Sequence, residues 1–138
     1  MKLTKRKREE LRRKFGECCA YCGEKLPHSG WHVNYIDPLL SHSVQADTDI
    51  LLSANIVPAC RECALLKGTN SLEVFRNQVI KQTERAQRSS VNFRNAIRFG
   101  LISKNQFPVI FWFEKYSNRK NLVETSLAQS TQGFESAA

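Results

Sequence analysis

Two Cys-x-x-Cys turns, Cys19-Ala-Tyr-Cys22 and Cys60-Arg-Glu-Cys63, constrain this chain more than any other feature. A turn of this kind presents two thiolates to one side of a tetrahedral metal, so two of them supply a complete ligand set with no open position. The sequence therefore predicts one structural zinc ion held by Cys19, Cys22, Cys60 and Cys63. A redox role would need a strand-to-helix context, which neither pair obviously has in the sequence. Five cysteines in a chain with no secretory features argue against a disulfide framework. Cys18 is the odd one: a bystander, or a substitute for Cys19 in a slipped register.

Such a staple matters in a small protein. At 138 residues and 41% hydrophobic content the chain builds one modest core, and a single domain over 1–116 is expected. No run approaches the roughly 18 apolar residues of a membrane span. The charged N-terminus lacks the apolar stretch of a secretory signal. The expectation is a soluble, cytoplasmic protein without a membrane partner.

Charge points to polyanionic partners: the net charge is +8 and the isoelectric point about 9.5. Lys2, Lys5, Arg6, Lys7, Arg8, Arg12, Arg13 and Lys14 crowd the first fourteen residues against Glu9 and Glu10. The plain alternative is a solvated helix face.

The pattern along the chain reads as a basic N-terminal helix within 3–15, capped by Thr4, with Leu11 and Phe15 on one face. Gly16 stops it. A strand is expected over Trp31–Ile36, closed by Asp37-Pro38, followed by a polar, irregular stretch over 41–54 that includes Asp47 and Asp49. A helical turn after Cys63 stops at Gly68. Helices fill 71–100: Asn70 caps the first with Glu73, and Leu72, Phe75, Val79, Thr83 and Ala86 form its core face. Lys81, Arg85 and Arg88 make a basic stripe outside. Ser90 starts another helix, with Phe93, Ala96 and Ile97 inward, Arg94 and Arg98 outward, and Gly100 at its end. The apolar run within 107–114, Phe107-Pro-Val-Ile-Phe-Trp-Phe113, predicts a strand apolar on both faces, either in the core or at a partner interface. Residues 117–138 read as a disordered tail.

Taken together, Phe15-Gly16, Cys19-Ala-Tyr-Cys22-Gly23, Trp31-His32-Val33, Ile36-Asp37-Pro38, Asn55-Ile-Val-Pro-Ala-Cys60, Cys63, Lys67-Gly68 and Ser71-Leu-Glu-Val-Phe75 resemble the HNH endonuclease family, especially its small phage and bacterial members. The likeness covers about residues 3–116. It implies an α+β fold, with a zinc-stabilised ββα-metal (treble-clef-like) core over 16–70, flanking helices and a C-terminal strand. It also implies a bacterial or phage-infected cell as the setting.

The family's hydrolytic site departs in this chain. Where the resemblance implies an Asp-His pair, Asn34 and Tyr35 stand, and Ala64 replaces a metal-binding Asn or His; only Asn55 matches. Asn34 lacks the negative charge that hard cations favour. Tyrosine, with an ordinary pKa near 10, is a poor base at neutral pH. Ala64 has no ligand atom. No catalytic residue is therefore expected and no catalytic Mg²⁺ or Mn²⁺. A rearranged site built from His32 and Asp37 with His28 or His42 is the alternative, against a plain strand role for His32.

The expected function is an inactive HNH-like zinc protein that binds nucleic acid, DNA or RNA, through Lys5, Arg6, Arg8, Arg12 and Arg13, with Arg61 and Lys67 near the former active site. Two alternatives stand beside it. One is a phage-type inhibitor or accessory subunit of a nucleic-acid machine, docking through Phe107–Phe113. The other is a surviving metal-dependent endonuclease.

Overall fold

The computed structural model describes residues 3–43 and 53–119. Lys2, Asp47, Asp49 and residues 120–138 lie outside them, as does the side chain of His42. The first helix, α1 (Lys5–Arg12), is capped as expected: the Thr4 hydroxyl accepts from the Lys7 N–H. It ends sooner than the charge pattern implied. A tight turn follows, with Gly16 and Glu17 both at positive φ, and it swings Phe15 and the first cysteine turn back against the helix.

Strand β1 (His32–Tyr35) pairs antiparallel with β2 (Ile56–Ala59) in the register His32 to Ala59 and Tyr35 to Ile56. β2 is buried along its whole length, and the Pro58 carbonyl accepts from Ala20 N–H at 2.9 Å. The 19–22 turn thereby closes over the free edge of β2. Helix α2 (Arg61–Lys67) follows directly, which puts Cys60 and Cys63 at a strand-to-helix junction that the sequence did not show. The helix ends at Gly68, whose N–H closes on the Ala64 carbonyl and whose positive φ turns the chain away.

The single helix anticipated from Leu72 to Ala86 is two. In α3 (Leu72–Ile80) Ser71, not Asn70, is the cap, and its hydroxyl accepts from Val74 N–H. After Lys81 the chain re-enters helix as α4 (Gln82–Ser89), which buries no residue; Thr83 is exposed. Helical spacing past Val79 thus continues the period without continuing the core. In α5 (Val91–Arg98) Ser90 caps the start. At its end Gly100 N–H reaches Ile97 O and Leu101 N–H reaches Ala96 O, a Schellman closure around a left-handed glycine.

The expected strand over 107–114 does not form. Residues 103–111 form neither helix nor strand, and a helix, α6, occupies residues 112–119, so 117–119 are helical rather than tail. The reason lies in the first cysteine turn. Its outward carbonyls need donors, and the free N–H groups at the start of α6 supply them: Trp112 to Tyr21 O at 3.1 Å and Phe113 to Ala20 O at 2.8 Å. The Trp112 indole N–H also donates to Phe15 O, and its ring lies where a Cβ on Gly23 would sit, 3.1 Å away.

Phe111 is 2% exposed and stacks on Phe75 at 5.2 Å, with the Tyr21 ring edge-on to both. Arg76 covers Phe111, donates to Val109 O and pairs with Glu114. Leu11, Leu26, Trp31, Ile56 and Val57 complete the core. The apolar run is therefore divided: Phe111 and Phe113 pack inward, whereas Phe107 is 81% exposed and Ile110 46%. In urea denaturation, Phe111→Ala should lower the unfolding free energy by about 3–5 kcal/mol. Phe107→Ala should change it by no more than about 0.5 kcal/mol. Equal effects would contradict this division.

Candidate metal centre

Each cysteine pair reaches the centre on a different kind of backbone. Cys19 and Cys22 come from the turn closed by Gly23 N–H to Cys19 O, with Gly23 at φ +80°. Cys60 is the cap residue of α2 and Cys63 lies in its first turn. Their four sulfur atoms lie within 4.8 Å of one another. A tetrahedron with metal–sulfur bonds of about 2.3 Å has sulfur–sulfur edges of about 3.8 Å. The Cys22 and Cys60 sulfurs stand 3.8 Å apart. The donor set and its spacing fit a thiophilic ion such as zinc.

The backbone is already arranged around negative sulfur. Cys19 Sγ accepts from Tyr21 and Cys60 N–H, Cys60 Sγ from Cys63 N–H, and Cys22 Sγ from Glu24 N–H. A hydrogen bond from Cys63, reinforced by the backbone donors, pulls Cys19 down to about 5. Burial and the Cys19 charge push Cys22 up to about 12, and Cys63 rises through its bond to Cys19 and burial. One thiolate forms readily and then opposes the others. A divalent cation removes that conflict. Cys18 stays outside, its thiol directed to Gly16 O at 3.4 Å, so no slipped register is used.

Asn34, Tyr35, Asn55 and Ala64 are tied into the fold. Asn34 Oδ1 accepts from the Tyr21 hydroxyl at 2.6 Å, and burial raises the Tyr21 pKa, keeping that phenol a donor. Asn55 grips the backbone of Asp37 twice: its Oδ1 accepts from Asp37 N–H at 2.7 Å and its Nδ2 donates to Asp37 O at 3.1 Å. Ala64 packs against the core. Tyr35 is half-buried, and its carbonyl accepts from Lys67. His28 and His32 are exposed, and Asp37 caps the Leu39 N–H. Among the described residues the four cysteines are the one group placed so that it could hold a metal ion, and His28, His32 and Asp37 form no second.

Two of the expected nucleic-acid contacts are corrected. Lys67 is fully buried, its ammonium donating to Tyr35 O and Asn70 O, and burial lowers its pKa against the opposing pull of Asp37. Arg12 is 2% exposed, paired with Glu9 and Glu17 and directed at Leu26 O. Both cations cross-link the core and reach no ligand. Of the rest, Arg8 lies over the Trp31 ring at 4.2 Å and donates to Trp31 O. Arg6 and Arg13 are exposed but engaged with Glu10 and with Glu9 and Glu17, whereas Lys5 and Arg61 face solvent. Charge density in the sequence could not separate these roles. The acidic residues three and four positions from Arg12, Arg6 and Arg13 were the available sign.

The Tyr21–Asn34 bond and the seat of α6 on the cysteine turn were not foreseen. Gly23, a glycine with open space for Trp112, was the one local trace of the latter. Comparison with models of known protein families, with curated proteins and with solved structures finds no match.

Titration with Co²⁺, whose thiolate charge-transfer band reports ligation, should saturate at one ion per chain. Ser substitution at Cys19, Cys22, Cys60 or Cys63 should weaken or abolish the band, and Cys18→Ser should leave it intact. Because the ligands bind as thiolates, protons compete with the ion for sulfur, so its apparent affinity should weaken steadily as pH falls. An affinity for Co²⁺ that does not change with pH would contradict thiolate ligation.

Proposed function

We propose that this protein is a zinc-bound, HNH-like module that binds nucleic acid and does not cleave it. The observation that carries this reading is the contrast between the two sites. All four cysteines converge. The Asn34 amide, by contrast, is engaged by Tyr21, Asn55 is spent on the Asp37 backbone, and Ala64 has no donor to give. Zinc holds the 19–22 turn, the β1–β2 pair and the start of α2 in the order of a treble clef. No general base stands ready: Asn34 carries an amide, and Tyr35 a phenol where the resemblance implies an imidazole.

A basic chain with net charge +8 gains affinity for a polyanion by releasing the counterions condensed on it, so binding depends steeply on salt and weakly on sequence. DNA and RNA both satisfy this requirement. A second reading has an observation of its own. Phe99, Leu101 and Phe107 are strongly exposed, with Ile102 and Ile110 beside them in sequence, which favours a protein-docking role for that surface.

Supercoiled plasmid incubated with the native chain and Mg²⁺, Mn²⁺ or Ni²⁺ should remain uncut, while the same protein retards duplex DNA at about 50 mM salt and releases it by about 200 mM. Nicking by the native chain would overturn the inactive assignment. The triple variant Asn34→Asp, Tyr35→His, Ala64→Asn serves as the control in which cleavage is sought. Failure to retard DNA or RNA at low salt would favour the protein-docking reading.

A further inference from the structure

The helical pair α4–α5 is a costly element by core standards. Neither helix contains a buried residue, and the pair joins the rest of the chain chiefly through α3. It is nonetheless firmly built. Ser90 caps α5, the Gly100 closure ends it, and Arg94 Nη1 donates to Gln87 O and Arg88 O, binding the start of α5 to the last turn of α4. Ordering these residues costs backbone entropy that core burial does not return.

Its surface is strongly positive with little acidic compensation, although Arg98 donates to Asn95 Oδ1 and Lys104 to Gln87 Oε1, and Lys5 and Lys7 of α1 are exposed as well. Residues 81–104 contain Lys81, Arg85, Arg88, Arg94, Arg98 and Lys104 against Glu84 alone, and the one ion pair is Arg88–Glu84 at 3.2 Å. Lys81, Arg85 and Arg88 are spaced four and three apart, so they share one exposed face over about 10 Å of helix. The Arg94 contact to Arg88 O, at 3.0 Å, carries the charge onto α5, and Arg98 follows one turn later. The N-terminal cluster differs. Glu9, Glu10 and Glu17 hold Arg6, Arg12 and Arg13, while Arg8 lies on Trp31 and Lys14 donates to Ser53 O and Ile56 O.

We infer that the α4–α5 pair, rather than the basic N-terminal helix, is the surface that contacts the phosphate backbone of a nucleic-acid duplex. The inference rests on the nucleic-acid reading above and assigns it a place. Rigidly spaced cations on short helices give sequence-independent backbone contacts, each releasing about one counterion.

The test is the salt dependence of binding to a labelled mixed-sequence DNA duplex, followed by fluorescence anisotropy. Three proteins are compared: the native chain, Lys81→Gln/Arg85→Gln/Arg88→Gln in α4, and Lys5→Gln/Arg6→Gln/Lys7→Gln in α1. The α4 variant should reduce the slope of log affinity against log salt by about 2–3, and the α1 variant by less than about 1. Glu84→Gln, which frees Arg88, should tighten binding. An unchanged slope in the α4 variant, or a larger loss from the α1 variant, overturns the inference while leaving nucleic-acid binding intact. No binding by the native chain overturns both.

Discussion

Four sulfur atoms within 4.8 Å of one another are the constraint on which the rest of this structure depends. Thiolates that close repel, and neutral thiols would leave the surrounding N–H donors facing weak acceptors. A bound divalent cation resolves both problems and joins segments far apart in sequence. The 19–22 turn covers the edge of β2, and the start of α2 brings the second pair. Around that clasp the core assembles from both ends of the chain: Leu11 from α1, and Phe111 with Phe113 from the segment entering α6. Tyr21, inside the cysteine turn, packs edge-on against Phe75, Phe111 and Phe113.

Local signals were legible in the sequence wherever a few neighbouring residues decide the outcome. The paired cysteines, the Thr4 and Ser90 caps, the Gly68 and Gly100 stops and strand β1 all belong to this class. The cap at Ser71 instead of Asn70 was a local miss by one residue, and the two larger misses have a different cause. Phe107–Phe113 has strand composition, but its conformation was decided by the unpaired carbonyls of Ala20 and Tyr21, some ninety residues earlier. A short run cannot announce that its first helical N–H groups will serve another turn. The boundary at Lys81 was hidden because helical periodicity persists through it while the core does not.

Charge was the least legible property, because the same residue type serves opposite ends. Lys67 and Arg12 are cations by composition and core cross-links by position, each consuming buried carbonyls or carboxylates. Arg85, the same residue type as Arg12, stands in solvent. The Tyr21–Asn34 bond makes the same point for the site. A polar side chain on a strand can serve a ligand or the fold, and here a buried phenol has claimed it. A scaffold whose clasp is complete and whose polar interior is satisfied is well suited to present a fixed surface.

The central claim is that the metal clasp holds this shape together. The most direct measurement is near-ultraviolet circular dichroism, which reads the packing of Tyr21, Phe75, Phe111 and Trp112, before and after a strong chelator strips the protein. Loss of the aromatic signal, with recovery on one equivalent of Zn²⁺, is the expected result. A full aromatic signal in protein shown to be metal-free would contradict it.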